Sequence, residues 1–315
     1  MPNYNGVWSL STQYQYAADW ASDNISPFTA TTNGIAIISS ASGMQTFSVA
    51  TAGNSVDFGD FTDQRGNGAG FGSTTRGIIA GGNGGPVNVI DFITFLTKGN
   101  ATDFGDLSVA REETAGHSSA TRGLAAGGDT GSQSDVVDYV TIASAGDATD
   151  FGNLAAVNTS PAGAGSDVRM VVGGGLEGGS RANRIQYFTI ASTGNATDFG
   201  DLGATRQQLA ALSNATRTLF AGGYESGVVN KIEFVTTDTT GNITDFGDLT
   251  GARRRLGCTS NATRGIAAGG SESATTSVIE FVTIASAGNA ADFGDLVAAA
   301  DSQNDGLSSA HGGLQ

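Results

Sequence analysis

The tripeptide Asp-Phe-Gly occurs six times along this chain of 315 residues, at nearly constant spacing. Successive copies are separated by 46, 47, 48, 47 and 47 residues, and they begin at Asp57, Asp103, Asp150, Asp198, Asp245 and Asp292. A fixed period of this length is typical of propellers, solenoids and other repeat folds. We therefore expect the chain to consist of copies of one structural unit.

Each unit contains three recurring stretches, which are clearest at 262–270, 277–284 and 289–296. The first ends in a glycine pair, which permits positive φ or close backbone approach. The second is rich in β-branched and aromatic residues and predicts a strand that is covered on both faces. The third carries Asp-Phe-Gly, and the variable stretch 250–259 predicts a fourth strand. Four strands in a repeat of about 47 residues are typical of a propeller blade.

The repeat region begins and ends partway through a unit. Residues 31–39 match 262–270, whereas the last unit is incomplete. We expect residues 31–61 to supply the last three strands of one blade and residues 297–315 to supply its first strand. The sequence thus predicts an all-β, six-bladed β-propeller over 31–315, with four-stranded blades and one blade split between the N- and C-terminal parts. Such closure removes the exposed strand edges of an open array.

The glycine pair, followed by an aromatic-containing strand and a further strand, resembles the kelch repeat over about residues 31–315. The kelch signature expects a Tyr and a Trp at set places, whereas this repeat has the Phe of Asp-Phe-Gly and a strand aromatic such as Phe92, Tyr139 or Phe281. The resemblance implies a propeller that serves as a binding scaffold, although some kelch propellers are oxidases. Fold alone does not assign function.

Residues 1–30 do not match the repeat and are predicted to form a docking segment outside the propeller. Their Gly-x-Trp-x-Leu…Gln…Trp pattern resembles an element of tail-fibre and other appendage proteins of bacteriophages, including phages of marine bacteria. The resemblance implies a location in the virion. Large aromatic side chains dominate many interfaces, so we expect partner contacts at Trp8, Tyr14, Tyr16 and Trp20. The alternative is that Trp8 and Trp20 pack against the propeller.

Charged side chains are few and mostly acidic: 30 Asp and Glu stand against 15 Lys and Arg, a net charge of −15. This balance disfavours nucleic-acid binding, which depends on neutralising phosphates. We expect no membrane insertion, because no apolar run reaches the ~18 residues of a membrane span. The one basic cluster, Arg253, Arg254 and Arg255, is a candidate contact for an acidic partner, with a solvated strand end as the alternative.

Five arginines recur at equivalent places in the repeat: Arg76, Arg122, Arg169, Arg217 and Arg264. A reacting group is normally singular, so recurrence predicts an architectural role. We expect these arginines to pair with the repeated aspartates in a ladder between blades. No cofactor or metal is predicted, because Ca²⁺ takes 6 to 8 oxygen ligands and the acidic turn at 195–201 offers the carboxylates of Asp198 and Asp201. Ca²⁺ at this turn is kept as an alternative.

These observations predict a non-enzymatic virion structural protein, a tail or head appendage that recognises a glycan or protein of the host surface. Other virion proteins, a host receptor and further copies of the chain are the expected partners. Specificity is expected in the variable loops at 83–88, 129–135, 176–184, 224–230 and 271–277. Two alternatives stay open. One is a structural adaptor or decoration protein that cements virion subunits. The other is a carbohydrate-active enzyme, which needs two carboxylates about 5 to 9.5 Å apart in one cleft.

Overall fold

The computed structural model describes residues 35–40, 43–82, 84–301 and 306–310, which form 27 strands and no helix. All paired strands run antiparallel, and they form six four-stranded sheets and one small three-stranded sheet. This confirms the predicted all-β class and the four-stranded unit. The predicted docking segment lies outside the described residues.

Sheets 1 to 3 follow one another along the chain. Sheet 1 contains β1 (Ile35–Ser40), β2 (Gly43–Ser48), β3 (Val56–Gly59) and β27 (Gly306–Ser308). Sheet 2 contains β4 (Ala69–Gly72), β5 (Arg76–Ala80), β6 (Val87–Thr94) and β7 (Thr102–Arg111). Sheet 3 contains β8 (Ala115–Ser118), β9 (Arg122–Ala126), β10 (Val136–Thr141) and β11 (Thr149–Asn153).

Sheets 4 to 6 repeat the pattern, and the small sheet is an insertion. Sheet 4 contains β13 (Ala162–Gly165), β14 (Arg169–Gly173), β17 (Arg184–Thr189) and β18 (Thr197–Asp201). Sheet 5 contains β19 (Ala210–Ser213), β20 (Arg217–Ala221), β21 (Lys231–Thr236) and β22 (Thr244–Asp248). Sheet 6 contains β23 (Gly257–Ser260), β24 (Arg264–Ala268), β25 (Thr276–Thr283) and β26 (Ala291–Ala300). The small sheet contains β12 (Asn158–Thr159), β15 (Leu176–Glu177) and β16 (Ser180–Arg181).

The first strands of neighbouring sheets contact one another: β4 with β8, β8 with β13, β13 with β19, and β19 with β23. In sheet 1 the first strand is β27, which pairs with β1 through Ala36 and Ser308 and through Ile37 and Leu307. It contacts both β23 and β4. We call the end of the sheets where the second strand connects to the third the loop end, and the opposite end the turn end.

The core lies between the sheets. Six hydrophobic clusters are described, and each is filled from two neighbouring sheets. The phenylalanine of every Asp-Phe-Gly copy is 2 or 3% exposed and lies in a different cluster; these residues are Phe58, Phe104, Phe151, Phe199, Phe246 and Phe293. Full burial of such a side chain stabilises a fold by roughly 1.5–3 kcal/mol. The repeated phenylalanine thus explains how one sheet packs on the next.

The glycine of the motif permits neighbouring backbones to approach closely. In the six copies φ lies between +144° and +153°. A Cβ atom added at Gly200 would stand 2.3 Å from the carbonyl oxygen of Gly241 in the next sheet, and one added at Gly294 would stand 2.5 Å from that of Gly53. A side chain at either position would therefore clash with main chain and adopt a strained φ.

A hydrogen bond from the following residue completes the junction. In sheet 2 the side-chain oxygen Oδ1 of Asn100 accepts from the backbone N–H of Asp60 in sheet 1 at 3.1 Å. Between sheets 6 and 1, Oδ1 of Asn54 accepts from the N–H of Asp295 at 3.0 Å. Four further junctions carry the same bond, accepted by Asp147, Asn195, Asn242 and Asn289.

The predicted ladder of arginines and aspartates is wrong. The five recurring arginine heads lie 4.4 to 4.9 Å from the ring centroid of an aromatic residue on the third strand of their own sheet. Each also donates to a main-chain carbonyl of the next sheet; Arg76, for example, donates to Ile142 at 2.9 Å. The aspartates that begin the six motif copies are exposed instead. Recurrence does indicate architecture here, but the arginines join sheets through rings and carbonyls.

Candidate functional site

Five residues with positive φ lie at the loop end of the sheets. They are Asn67, Glu113, Ser160, Gln208 and Arg255, with φ between 54° and 59°, and we call them the inner ring. Left-handed backbone is uncommon for residues other than glycine, and such residues cluster at ligand clamps and switch regions. Each lies shortly before the first strand of sheets 2 to 6, respectively. The ring therefore places five different side chains at equivalent positions.

Main-chain hydrogen bonds join neighbouring members of the inner ring. The N–H of Glu113 donates to the carbonyl of Asn67 at 2.7 Å, and that of Arg255 donates to Gln208 at 2.9 Å. A side-chain contact also crosses the ring, because Nη2 of Arg255 in sheet 6 lies 3.6 Å from Oε1 of Glu113 in sheet 3. Ser160 donates its hydroxyl to the same carboxylate. We call the space that the inner ring borders the opening, and the ion pair between Arg255 and Glu113 bridges it.

Glu112 brings a second carboxylate to this opening. The main chains of Glu112 and Asp129 exchange two hydrogen bonds. Asp129 lies in the loop-end connection of sheet 3, between β9 and β10. Burial raises the pKa of Glu112, the neighbouring charges of Glu113 and Asp129 raise it further, and Arg255 opposes them. Arg255 therefore partly offsets the negative charges of Glu112, Glu113 and Asp129.

Arg253 does not belong to this surface, so its assignment as an accessible partner contact is wrong. The residue is 5% exposed, and its guanidinium pairs with the buried carboxylate of Glu280. It also donates to the carbonyl of Gly269 at 2.8 Å. Burial lowers the pKa of Arg253 to about 10. The three consecutive arginines are therefore one structural residue followed by two at the opening.

Arg253 has equivalents that the sequence analysis missed. Buried ion pairs join Arg65 to Asp91 at 3.0 Å, Arg111 to Asp138 at 2.7 Å, and Arg206 to Glu233 at 2.6 Å. In sheet 4 the two positions are Asn158 and Gln186, and in sheet 1 the amide Gln45 stands on the third strand, with Ala300 at the arginine position. Where the arginine is absent, the acid is absent too. This joint replacement avoids an unpaired buried charge, which is strongly destabilising.

A compact group formed by Arg181, Tyr224 and Arg254 lies beside the inner ring, and we call it the Arg-Tyr-Arg cluster. The Cζ atoms of Arg181 and Arg254 lie 5.5 and 5.6 Å from the ring centroid of Tyr224. Arg254 also donates to Oε1 of Gln208 at 3.1 Å. The cluster thus joins three places that are distant in the sequence. Arg181 lies on β16 of the small sheet, Tyr224 lies between β20 and β21, and Arg254 lies just before β23.

Four loops border the inner ring and form what we call the crescent: 129–135, 176–184, 224–230 and 271–275. Neighbouring loops contact each other, since the N–H of Gly179 donates to Oε1 of Gln133 at 3.0 Å. The matching connection in sheet 1 is only two residues long, between Ser40 and Gly43. The loop-end connections of sheets 3 to 6 are therefore longer than that of sheet 1.

The remaining sequence predictions have mixed outcomes. The candidate contacts Trp8, Tyr14, Tyr16 and Trp20 lie outside the described residues and stay predictions. Within the described part, no group of three or more His, Cys, Asp or Glu side chains is arranged to hold a metal ion. His117 is buried, and its Nε2 lies 3.0 Å from the carbonyl oxygen of Ser166. The same part of the chain contains no helix long and apolar enough to cross a membrane.

No protein-family model matches the chain, and no curated protein matches it either. The site therefore has to be interpreted from its own geometry. The variable stretches 176–184 and 224–230, where specificity was expected, contain Arg181 and Tyr224, but neither residue was singled out because neither belongs to a motif. Alignment of the repeats would have placed Glu113, Gln208 and Arg255 at equivalent positions, but positive φ and convergence at the opening depend on the folded sheets.

Proposed function

We propose that this protein is a closed six-bladed β-propeller of a bacteriophage virion appendage and that its loop end binds a molecule of the host surface. Ring closure is supported by sheet 1, which packs against both sheet 2 and sheet 6. Its junctions with those two sheets use the same asparagine and glycine contacts as the others. The virion assignment rests on the resemblance of residues 6–20 to phage appendage proteins.

One observation carries the binding role. Side chains that recur in every repeat are used between sheets, whereas side chains that differ between repeats gather at the loop end. The inner ring has an amide, a carboxylate, a hydroxyl, a second amide and a guanidinium at equivalent positions. Asn67, Ser160 and Gln208 are buried, so the variety that a ligand can reach lies at Glu113, Arg255 and the loops of the crescent. Architecture does not require this variety, since the buried ion pairs and glycine junctions already join the sheets. A varied polar surface on a regular scaffold is how loop-bearing folds provide specific recognition.

The chain direction fits an appendage. The described chain enters β1 at Ile35 and leaves β27 at Ser308, both at the turn end, which follows from the pairing of these strands with their neighbours. An attachment made by the segment that precedes β1 would thus lie at the turn end. The crescent would then face away from the particle, where a receptor is met.

Adsorption of fluorescently labelled full-length protein to a panel of bacterial strains tests the proposal. Gly227 lies at an exposed loop tip with open space around its Cα, so Gly227→Trp adds bulk to the crescent without disturbing the core. Ser286→Trp is the matched control at an exposed turn-end position. We expect saturable adsorption by the unmodified protein, a reduction of at least tenfold for Gly227→Trp, and no change for Ser286→Trp.

Two results would overturn the proposal. Equal adsorption by both variants would remove recognition from the loop end. Absence of adsorption to every strain, by a protein that is folded by circular dichroism, would instead favour a structural adaptor or decoration protein within the particle.

A further inference from the structure

We propose that the Arg-Tyr-Arg cluster binds the oxyanion of an acidic saccharide, so that the host-surface ligand is an acidic glycan. This inference rests on the proposed function and specifies its ligand. The chain is strongly acidic, with a net charge of −15, and most cations at the loop end are already neutralised. Arg184 pairs with Glu177 at 3.2 Å, Lys231 with Glu225 at 2.9 Å, and Arg255 with Glu113 at 3.6 Å.

Arg181 and Arg254 are different, because neither forms an ion pair within the described part of the chain. Both guanidinium groups lie over the ring of Tyr224. Arg181 is exposed, and the Nε of Arg254 is buried without a hydrogen-bond partner. Two guanidinium groups that contact one aromatic ring and form no ion pair in the described residues are matched by an oxyanion, since the planar fork of arginine suits carboxylate, sulfate or phosphate oxygens.

The cluster is held in place before a ligand arrives. Tyr224 exchanges two main-chain hydrogen bonds with Gln207, at 2.8 and 3.1 Å. Arg254 exchanges two with Ser271, at 2.9 and 3.0 Å. Arg181 ends the short strand β16, where it pairs with Leu176. A preorganised site loses less conformational entropy on binding, so these backbone bridges favour a ligand-binding role over incidental contact.

The surrounding loops favour a saccharide over an acidic peptide. The loops at 129–135 and 271–275 contain Ser, Thr, Gln, Gly, Ala and acidic residues and no large apolar side chain. Protein interfaces depend on buried aromatic and aliphatic anchors at their centre, and these two loops supply none. The other two loops of the crescent supply Leu176, Tyr224, Val228 and Val229, each of which is half-buried within the chain. Hydroxyl and amide groups instead match the hydroxyl groups of a sugar chain.

Three polymers with one backbone test the inference: dextran, carboxymethyl-dextran and dextran sulfate. Each is immobilised, and binding of the full-length protein is measured by biolayer interferometry at low and at physiological salt. We expect at least tenfold tighter binding to one or both charged dextrans than to dextran, weakening as salt screens the charges. Preference between the two charged polymers distinguishes a carboxylated from a sulfated ligand.

Variants locate the effect. Arg181→Gln combined with Arg254→Gln should reduce binding of the charged polymers to the level of dextran. Arg181→Gln alone changes an exposed side chain and should cause a smaller loss of binding. Thermal unfolding checks that this variant folds like the parent. Lys98→Gln removes one exposed cation at the turn end and should leave binding unchanged.

Equal binding of charged and neutral dextran, or unaltered binding by the double variant, would overturn the inference. Binding of poly-glutamate as tight as that of the charged dextrans, and lost in the double variant, would overturn the saccharide assignment in favour of an acidic peptide. Cell adsorption that Gly227→Trp abolishes, together with indifference to polymer charge, would refute only this inference. Absence of any adsorption would refute the proposed function itself.

Discussion

At the turn end the sheets repeat the same contacts, whereas at the loop end sheets 2 to 6 have different side chains at equivalent positions. Each of the six junctions has a glycine against a carbonyl and an asparagine or aspartate side chain that accepts from the neighbouring sheet, and sheets 2 to 6 add an arginine over an aromatic ring. The glycine contact is fixed by the distance between two backbones, so a side chain added there would break that junction. The inner ring and the crescent are constrained mainly by the backbone, so their side chains are free to differ.

Among the predictions, breaking a buried ion pair should cause the largest loss of stability. Arg111→Asn alone should destabilise the protein by about 3–5 kcal/mol, because it leaves the buried carboxylate of Asp138 without its partner. Combining it with Asp138→Gln copies the Asn158 and Gln186 combination of sheet 4. The double variant should recover more than half of the loss, as measured by urea unfolding.

The chain itself supplies the reason for that recovery. Asn158 donates to the carbonyl of Gly174 at 2.8 Å, as Arg111 donates to Gly127 at 3.1 Å. Gln186 accepts from the N–H of Ala155, as Asp138 accepts from that of Ser108. Strictly additive destabilisation in the double variant would show that the two positions are independent, and the joint replacement seen between repeats would then have another cause.

Two glycine-to-alanine variants test the turn-end junction, with a smaller expected loss of stability. Gly247→Ala would place its Cβ 2.5 Å from the carbonyl oxygen of Gly288, at a φ of +148°. We expect a loss of about 1–3 kcal/mol, the range for a strained backbone residue. Gly251→Ala is the control, since its added Cβ meets nothing within 4 Å. Thermal unfolding should separate the two variants, and equal midpoints would contradict the requirement for a close approach.

The fold class could be predicted from the sequence alone, because the motifs that indicate it recur at a fixed period. Asp-Phe-Gly marks every unit, and the nearly continuous apolar strand at 277–284 requires cover on both faces. The partners of the recurring arginines were mispredicted, because a repeated arginine and a repeated aspartate suggest a pair, while the strand geometry keeps the aspartates exposed and places aromatic rings under the guanidinium groups.

The candidate site was harder to predict, since it depends on contacts between sheets. Arg253, Arg254 and Arg255 are adjacent in sequence, yet one pairs in the interior with Glu280, one lies over Tyr224, and one reaches across the ring to Glu113. No local pattern distinguishes these three environments. Repeat alignment does offer one signal that was not used: Arg253 aligns with Arg65, Arg111 and Arg206, which marks it as architectural.

The smallest expected effect concerns the pH response of the loop end. Because the pKa of Glu112 is raised in the folded state above its ordinary value of 4.5, the folded protein binds this proton more tightly than the unfolded chain does. Stability from this group is therefore present at low pH and decreases as pH rises from about 4.5 through the raised value.

Glu112→Gln removes that decrease. The difference in unfolding free energy between variant and parent should then shift in favour of the variant between pH 4 and pH 7, by a few tenths of a kcal/mol as is usual for surface substitutions. Thr130→Val, at an exposed hydroxyl of the same crescent, provides a variant without a titrating group. A constant difference across this pH range for Glu112→Gln would mean that the repulsion among Glu112, Glu113 and Asp129 is fully relieved by Arg255, and the loop end would then respond to pH no more than the turn end.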